Sequence, residues 1–238
     1  MPFRHEVKLP DYIRLKKSTR ARRMALRLDA KERVFHLVLP RGISMKSARA
    51  FIEEHERWMK EKLRELPRPV TFEHGQVIPV FGRNRTIKII KRKTLKTTNV
   101  ILNHNEILVV THLDDPTVKI KRFLAKIAKE KLTELAEAKA EIIGAKIKDI
   151  HVRDTKSRWG SCAEDGGLSF SWRLIFAPHE AFDYVVAHEV AHLRHMNHGR
   201  HFWNLCRSIS DDFLEGQYWM QAYGQDLMRY GYAGEVAE

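Results

Sequence analysis

Residues 184–203 read YVVAHEVAHLRHMNHGRHFW and contain five histidines after a short apolar run. Within this stretch, His188–His192 has the pattern HExxH, and residues four apart lie on one face of a helix, one turn from each other. Two imidazoles so placed can bind one metal ion, and Glu189 lies close enough to take a proton from a coordinated water. The pattern therefore predicts a helix that carries a catalytic zinc site.

A catalytic zinc site needs a third protein ligand and one open position. His198 follows His188 by ten residues and His192 by six, which is the ligand spacing of the longer pattern HExxHxxGxxH. We therefore expect His198 to be the third ligand. The alternatives that stay open are His195, His201 and Glu215.

The spacing of apolar residues predicts the elements around this motif. Helices are expected at 45–64, from Pro116 to about Ile143, from Pro178 to about Met196, and from Phe202 to about Met228 with a break near Ser210. Strands are expected at 22–28, 33–39, 77–81, 86–90, 99–102, 107–111, 147–153 and 167–175. The chain thus combines strands and helices throughout.

The segment Arg158–Cys162 reads RWGSC and is expected to form a strand beside the HExxH helix. As an edge strand it would pair with an extended peptide, which makes Arg158 and Trp159 candidate substrate-binding residues. The alternative is a packing block with Trp159 in the core and Gly160 allowing close approach. Cys162 is expected to be a buried thiol and not a nucleophile. Candidates for a hydrogen bond to a ligand imidazole are Asp183, Asp211 and Asp212.

The net charge of +13 is concentrated at one end of the chain. Residues 1–100 carry a net charge of +16, whereas residues 151–238 carry −4. Two basic clusters stand out: Arg14, Lys16, Lys17, Arg20, Arg22 and Arg23, and Arg83, Arg85, Lys91, Arg92, Lys93 and Lys96. Such clusters can contact phosphates, or they can form a solvated face or bind acidic proteins or ribosomes. A second hypothesis is therefore a nucleic-acid-binding module whose metal site is structural or vestigial.

Several blocks of the second half together resemble the YgjP-like metallopeptidase domain, a relative of the SprT-like proteases. They are Arg158–Cys162, Trp172–Leu174, Ala177–Pro178, the HExxH motif, Asn197–Gly199 and Phe202–Trp203. The resemblance implies a zinc-dependent peptidase with His188, His192 and His198 as ligands and Glu189 as general base. SprT-like relatives act on DNA-bound proteins, which gives nucleic acid a precedent as a partner.

The expected fold class is α+β, with a basic β-rich region at 1–113 and a zinc metallopeptidase region at 114–238. In the second region, a small antiparallel sheet packs on the HExxH helix in a zincin-like arrangement. The expected activity is hydrolysis of peptide bonds through a metal-activated water, with Zn²⁺ as cofactor and a protein or peptide as substrate.

Composition excludes several other classes of protein. Hydrophobic residues make up 43% and charged residues 31%, which is the balance of a folded globular chain and not of a disordered one. No apolar run of about 18 residues exists, so no membrane partner is expected. The first ten residues lack the apolar segment of a secretory signal, and the chain has only two cysteines. The expected location is the cytoplasm.

Overall fold

A computed structural model describes residues 9–155 and 158–231. These residues form ten strands and five α-helices, and the predicted α+β class is confirmed. Contacts divide the chain into two compact units, Met1–Arg68 and Pro69–Glu238. This division falls before residue 113 because strands between 77 and 111 share a core with the helices that follow them. A functional boundary at 113 stays a prediction.

The first unit contains a three-stranded sheet and one helix. Its strands are β1 (Ile13–Lys17), β2 (Ala25–Asp29) and β3 (Val34–Leu39). The central strand β3 runs parallel to β1 and antiparallel to β2. Helix α1 (Met45–Glu65) begins after Ser44, whose hydroxyl accepts a hydrogen bond from the Ser47 N–H group. Phe35, Leu37 and Met59 are fully buried in the core of this unit.

The second unit begins with a four-stranded sheet. Its strands are β4 (Val77–Val80), β5 (Arg83–Lys91), β6 (Asn99–Leu102) and β7 (Glu106–Thr111), in the order β4-β5-β7-β6. Strand β5 runs parallel to β7, and the other two pairs are antiparallel. The alternating buried residues Ile78, Val80, Ile107 and Val109 belong to the same core as the long helix that follows.

That helix is α2 (Thr117–Ile142), and its start and end agree with the sequence prediction. The Asp115 carboxylate accepts a hydrogen bond of 2.8 Å from the Thr117 N–H group at the start of the helix. Gly144 adopts a φ of 61° just after its end, a conformation that glycine adopts without steric cost. The buried stripe recurs every four residues: Ile120, Leu124, Ala128, Leu132 and Ala136.

A second three-stranded sheet follows α2. Its strands are β8 (Asp149–Arg153), β9 (Gly160–Cys162) and β10 (Gly167–Ser171), in the order β8-β10-β9. A tight turn joins β9 to β10, so these two are antiparallel, but β8 lies on the other edge of β10 and runs parallel to it. The prediction of an antiparallel sheet is therefore wrong for β8. The predicted strand to residue 175 ends at Ser171, and a 3₁₀ helix follows.

Three helices complete the unit: α3 (His179–Ala191), α4 (Arg200–Ser208) and α5 (Phe213–Tyr223). Helix α3 ends five residues before the predicted end at Met196, because the Leu193 and Arg194 N–H groups bond to carbonyls three residues back and form a tight turn. Gly216 lets α5 approach α3 closely, since a Cβ there would clash with the Glu180 carbonyl. In the described part of the chain, no helix has the length and apolar character needed to cross a membrane.

Candidate metal centre

Helix α3 carries the first half of the predicted site. Most of its surface is buried, and Val186, Val190 and Ala191 are fully enclosed in the core. His188 and Glu189 are therefore held on a helix whose rotation is fixed by packing. His192 is the first residue after α3, and His198 lies in the segment between α3 and α4.

The three predicted ligands come together in the structure. His188, His192 and His198 each offer one imidazole nitrogen, and these three atoms all lie within 4.8 Å of one another. His195 and His201 are not part of this group, and their rings instead lie 6.0 Å from each other. Glu215 also lies outside it.

The donor geometry fits a small tetrahedral metal ion. The Nε2 atoms of His188 and His198 are 3.1 Å apart. Two nitrogen ligands of one tetrahedral zinc ion, each at about 2.0–2.1 Å, would be about 3.3 Å apart. No fourth protein ligand joins the three imidazoles in the part of the chain that the structure describes, so a tetrahedral ion held there would keep one open position, as catalytic zinc sites do.

The tautomer of His192 and the protonation state of His188 also suit metal binding. The His192 ring lies with Nδ1 3.0 Å from the His195 carbonyl oxygen, so Nδ1–H donates there and leaves Nε2 as a lone-pair donor. Burial, together with the neighbouring His192 and His198, lowers the pKa of His188 from 6.5 to about 4. His188 is therefore neutral at physiological pH, as a metal ligand must be.

Glu189 is buried directly against the edge strand β9. Only 7% of the residue is exposed. Burial raises the pKa of its carboxyl group from 4.5 to about 8, and the charge of Arg158 partly opposes that shift. A Cβ built on Gly160 would lie 2.5 Å from Glu189 Oε1 and 2.7 Å from Cδ. Only a glycine at this position leaves room for the carboxyl group where it stands.

Arg194 fixes the segment that carries His198. Its guanidinium donates hydrogen bonds to the carbonyls of Ile143, at 2.8 Å, and Gly144, at 2.5 Å. These carbonyls lie at the C-terminal end of α2, where a cation is also favoured by the helix dipole. The segment between His192 and His198 is thus attached to a second helix.

A comparison with protein families shows which family the chain belongs to. The family model of the YgjP-like metallopeptidase domain matches residues 22–223. The chain belongs to this family. It is therefore a metallopeptidase in general terms, with a metal requirement and peptide substrates, and the suspected resemblance is confirmed. No curated protein and no solved structure matches the chain.

In the RWGSC segment of this YgjP-like protein, Arg158 is exposed to solvent whereas Trp159 packs against the core. Arg158 is exposed and close enough for its charge to lower the pKa of Glu189. Trp159 packs against the core, and a Cβ built on Gly224 would lie 3.2 Å from its indole Nε1. Cys162 is half-buried and not fully buried as expected, and burial raises the pKa of its thiol to about 11, so the group is protonated at neutral pH.

Asp183 has a different role from the hydrogen bond to a ligand imidazole considered for it. Its carboxylate lies 2.6 Å from Lys139 Nζ and accepts a hydrogen bond from Ser210 Oγ at 2.8 Å and one from the Asp211 N–H group at 3.2 Å. Both members of the ion pair are almost fully buried. The pair joins α2 and α3 to the turn between α4 and α5, and sequence spacing alone gave no sign of Lys139 as its partner.

The two basic clusters fall in different units. Arg14, Lys16, Lys17, Arg20, Arg22 and Arg23 belong to the first unit, and the second cluster belongs to the strands and loops around β5. Arg14 of β1 and Arg27 of β2 both pair in register with His36 of the central strand β3, and both arginine side chains are exposed. Nucleic acid as a partner of this face stays a prediction.

Proposed function

We propose that the protein is a zinc-dependent peptidase in which His188, His192 and His198 hold the ion and Glu189 is the general base. The convergence of three imidazoles beside a buried carboxyl group carries this proposal. Three histidines with an open position form the donor set of catalytic zinc and not of closed structural zinc.

When bound, a zinc ion supplies a Lewis acid that polarises the scissile carbonyl and lowers the pKa of water. Glu189 accepts the proton of the attacking water on its carboxylate. It then passes this proton to the leaving amine nitrogen as the C–N bond breaks, and so returns to its initial state. The positive charge of a bound zinc ion would add to that of Arg158, favour the carboxylate form of Glu189 and so oppose the effect of burial on its pKa.

Strand β9 offers a binding edge for the peptide. It lies at one edge of its sheet, pairs with β10 on one side, and has Gly160 against Glu189. An extended peptide can add to such an edge through main-chain hydrogen bonds, with its scissile bond next to the carboxyl group. The exposed guanidinium of Arg158 would then bind a carbonyl or carboxylate of the substrate, whereas the packing of Trp159 supports a structural role.

Metal content of the purified protein tests the ligand set. We expect about one zinc ion per chain in the wild type, loss or marked weakening in His198→Ala, and retention in His195→Ala. His195→Ala is the matched control because it removes a neighbouring imidazole that lies outside the cluster. Full zinc content in His198→Ala would move the third ligand to His195, His201 or an acidic residue.

Hydrolysis of protein substrates tests the role of Glu189. The variant Glu189→Gln should keep its zinc and lose turnover by about 10²- to 10⁴-fold, because it removes the proton acceptor without removing a ligand. The nucleic-acid-binding hypothesis predicts the opposite pattern: no zinc-dependent cleavage by the wild type, with or without DNA, and nucleic-acid binding that survives Glu189→Gln.

A further inference from the structure

One buried phenyl ring contacts all three imidazoles of the metal centre. Phe202 is fully buried on α4. Its ring centroid lies 4.9 Å from that of His188, 4.5 Å from that of His192 and 4.7 Å from that of His198. It meets the first and third rings edge to face, at interplanar angles of 77° and 79°, and lies more nearly parallel to the second, at 32°.

Within residues 9–155 and 158–231, a hydrogen bond to a group outside the cluster orients only one of the three ligands. His192 donates from Nδ1 to the His195 carbonyl. Nδ1 of His188 is buried and has no hydrogen-bond partner among the described residues. The Nε2 atoms of His188 and His198 instead lie 3.1 Å from each other, and these are the two nitrogens that would face the metal. Metal-binding histidines usually have their second nitrogen held by a protein group, so two ligands here need another means of orientation.

Phe202 is placed to supply that orientation. It follows His198 by four residues, after the extended backbone of Gly199, at the start of α4. His188 lies on α3, His192 directly follows α3 and His198 precedes α4, so this single ring touches ligands from both sides of the centre. Buried side chains are close-packed, and a planar ring in contact with three others limits the rotation of each.

We infer that Phe202 is a positioning residue of the metal centre: its ring fixes the orientation of the three imidazoles and thereby sets the affinity for the metal. This inference rests on the proposed function, because it assumes that the three imidazoles bind an ion. It assigns to Phe202 a role beyond packing α4 against α3.

The test compares Phe202→Leu with Phe213→Leu. Phe213 is a buried phenyl of the same core, 6% exposed, and among the ring contacts of the described residues it meets Tyr184 and Trp203 and none of the three ligands. Both variants should lose similar thermal stability in the metal-free state. Only Phe202→Leu should weaken Zn²⁺ binding, measured by competition with a chelator, by about 10- to 100-fold, the range seen when groups that orient metal ligands are removed.

Absorption of bound Co²⁺ gives a second measurement, because its visible spectrum reports the arrangement of the ligands. The Co²⁺ spectrum should change in Phe202→Leu and stay unchanged in Phe213→Leu. If Phe202→Leu does not fold, Phe202→Met keeps an apolar side chain of similar length without the planar ring. Equal affinities and spectra for the two phenylalanine variants would overturn the inference and leave the proposed function intact. A wild-type protein that binds no Zn²⁺ would overturn both.

Discussion

Two sheets of this protein have the same arrangement of strands and different surroundings. In β1-β3-β2 and in β8-β10-β9, the third strand in sequence is central, runs parallel to the first and antiparallel to the second. The first sheet carries Arg14 and Arg27 in register with His36 on one face. The second places Gly160 of its edge strand against the buried Glu189.

Two sheets with the same strand topology therefore differ in the side chains that they present, so topology alone does not determine function. The first sheet buries one face in the core of its own unit and exposes charged side chains on the other. Single substitutions on the exposed face should therefore change stability and activity little. The second sheet places Gly160 directly against Glu189, so one added methyl group there would displace the carboxyl group that we propose as the general base. Three measurements sharpen or break this contrast.

The largest effect is expected for Gly160→Ala in β9. The added Cβ would overlap the Glu189 carboxyl group, so the carboxyl must move, and a displacement of about 1 Å in an active site costs about 10²-fold in turnover. The measurement is peptide hydrolysis at saturating zinc, with metal content as a check on the ligands.

Gly167→Ala in β10 is the control for that change. A Cβ there would lie 3.1 Å from Asp149 Oδ1, an exposed side chain that can rotate away. Its turnover should stay close to the wild-type value. Equal losses of turnover in the two variants would mean that the loss comes from distortion of the sheet and not from the contact between residue 160 and Glu189.

A smaller effect is expected in the pH dependence of stability of the metal-free protein. The pKa of Glu189 is raised to about 8 in the folded state, so its contribution to stability is complete below about pH 4.5 and is lost as the pH rises towards 8. Relative to Glu189→Gln, the wild type should lose about 2 kcal/mol of unfolding free energy between pH 5 and pH 7. Denaturant unfolding at several pH values measures this difference.

The lowered pKa of His188 acts in the opposite direction, because it favours the folded state as the pH rises. Both proteins contain His188, so its contribution largely cancels in the comparison. A difference between wild type and Glu189→Gln that does not vary with pH would show that the carboxyl group titrates near its ordinary value.

The smallest effect is expected on the first sheet. Replacing Arg14 and Arg27 together with glutamine should change the unfolding free energy by less than about 0.5 kcal/mol and leave peptide hydrolysis unchanged, since both side chains are exposed. Binding to DNA should weaken only if this face contacts phosphates. The control variant replaces two exposed lysines of α2, Lys126 and Lys129, with glutamine. If only the arginine pair lost peptidase activity, the first sheet would also contribute to hydrolysis, which contradicts the difference between the two sheets.

The sequence predicts best where local chemistry determines structure. The HExxH spacing places His188 and His192 on adjacent turns, and the six-residue step to His198 matches a known ligand spacing, so the imidazole cluster could be expected. Asp115 and Gly144 mark the start and end of α2 through the backbone groups that they satisfy. These signals need no knowledge of distant contacts.

Features that depend on contacts between distant residues could not be predicted. Strand β1 is short and buries only Ile13, and it is a strand because it pairs with β3, which lies further along the chain. The parallel pairing of β8 with β10 depends on which edge of β10 is open. The contact of Phe202 with three histidines needs α3 and α4 already packed together. Each of these is decided by tertiary packing, which local periodicity does not contain.

The attachment of Arg194 to the end of α2 extends the metal centre to a helix that contributes no ligand. Opening of the backbone just after α2 would move the Ile143 and Gly144 carbonyls away from Arg194 and so release the segment that carries His198. An ion held by the three histidines, as proposed above, would stabilise only the closed arrangement, so its binding free energy would also oppose that opening. The backbone amides around Gly144 and Ala145 should then exchange their hydrogens with solvent more slowly once the metal is bound.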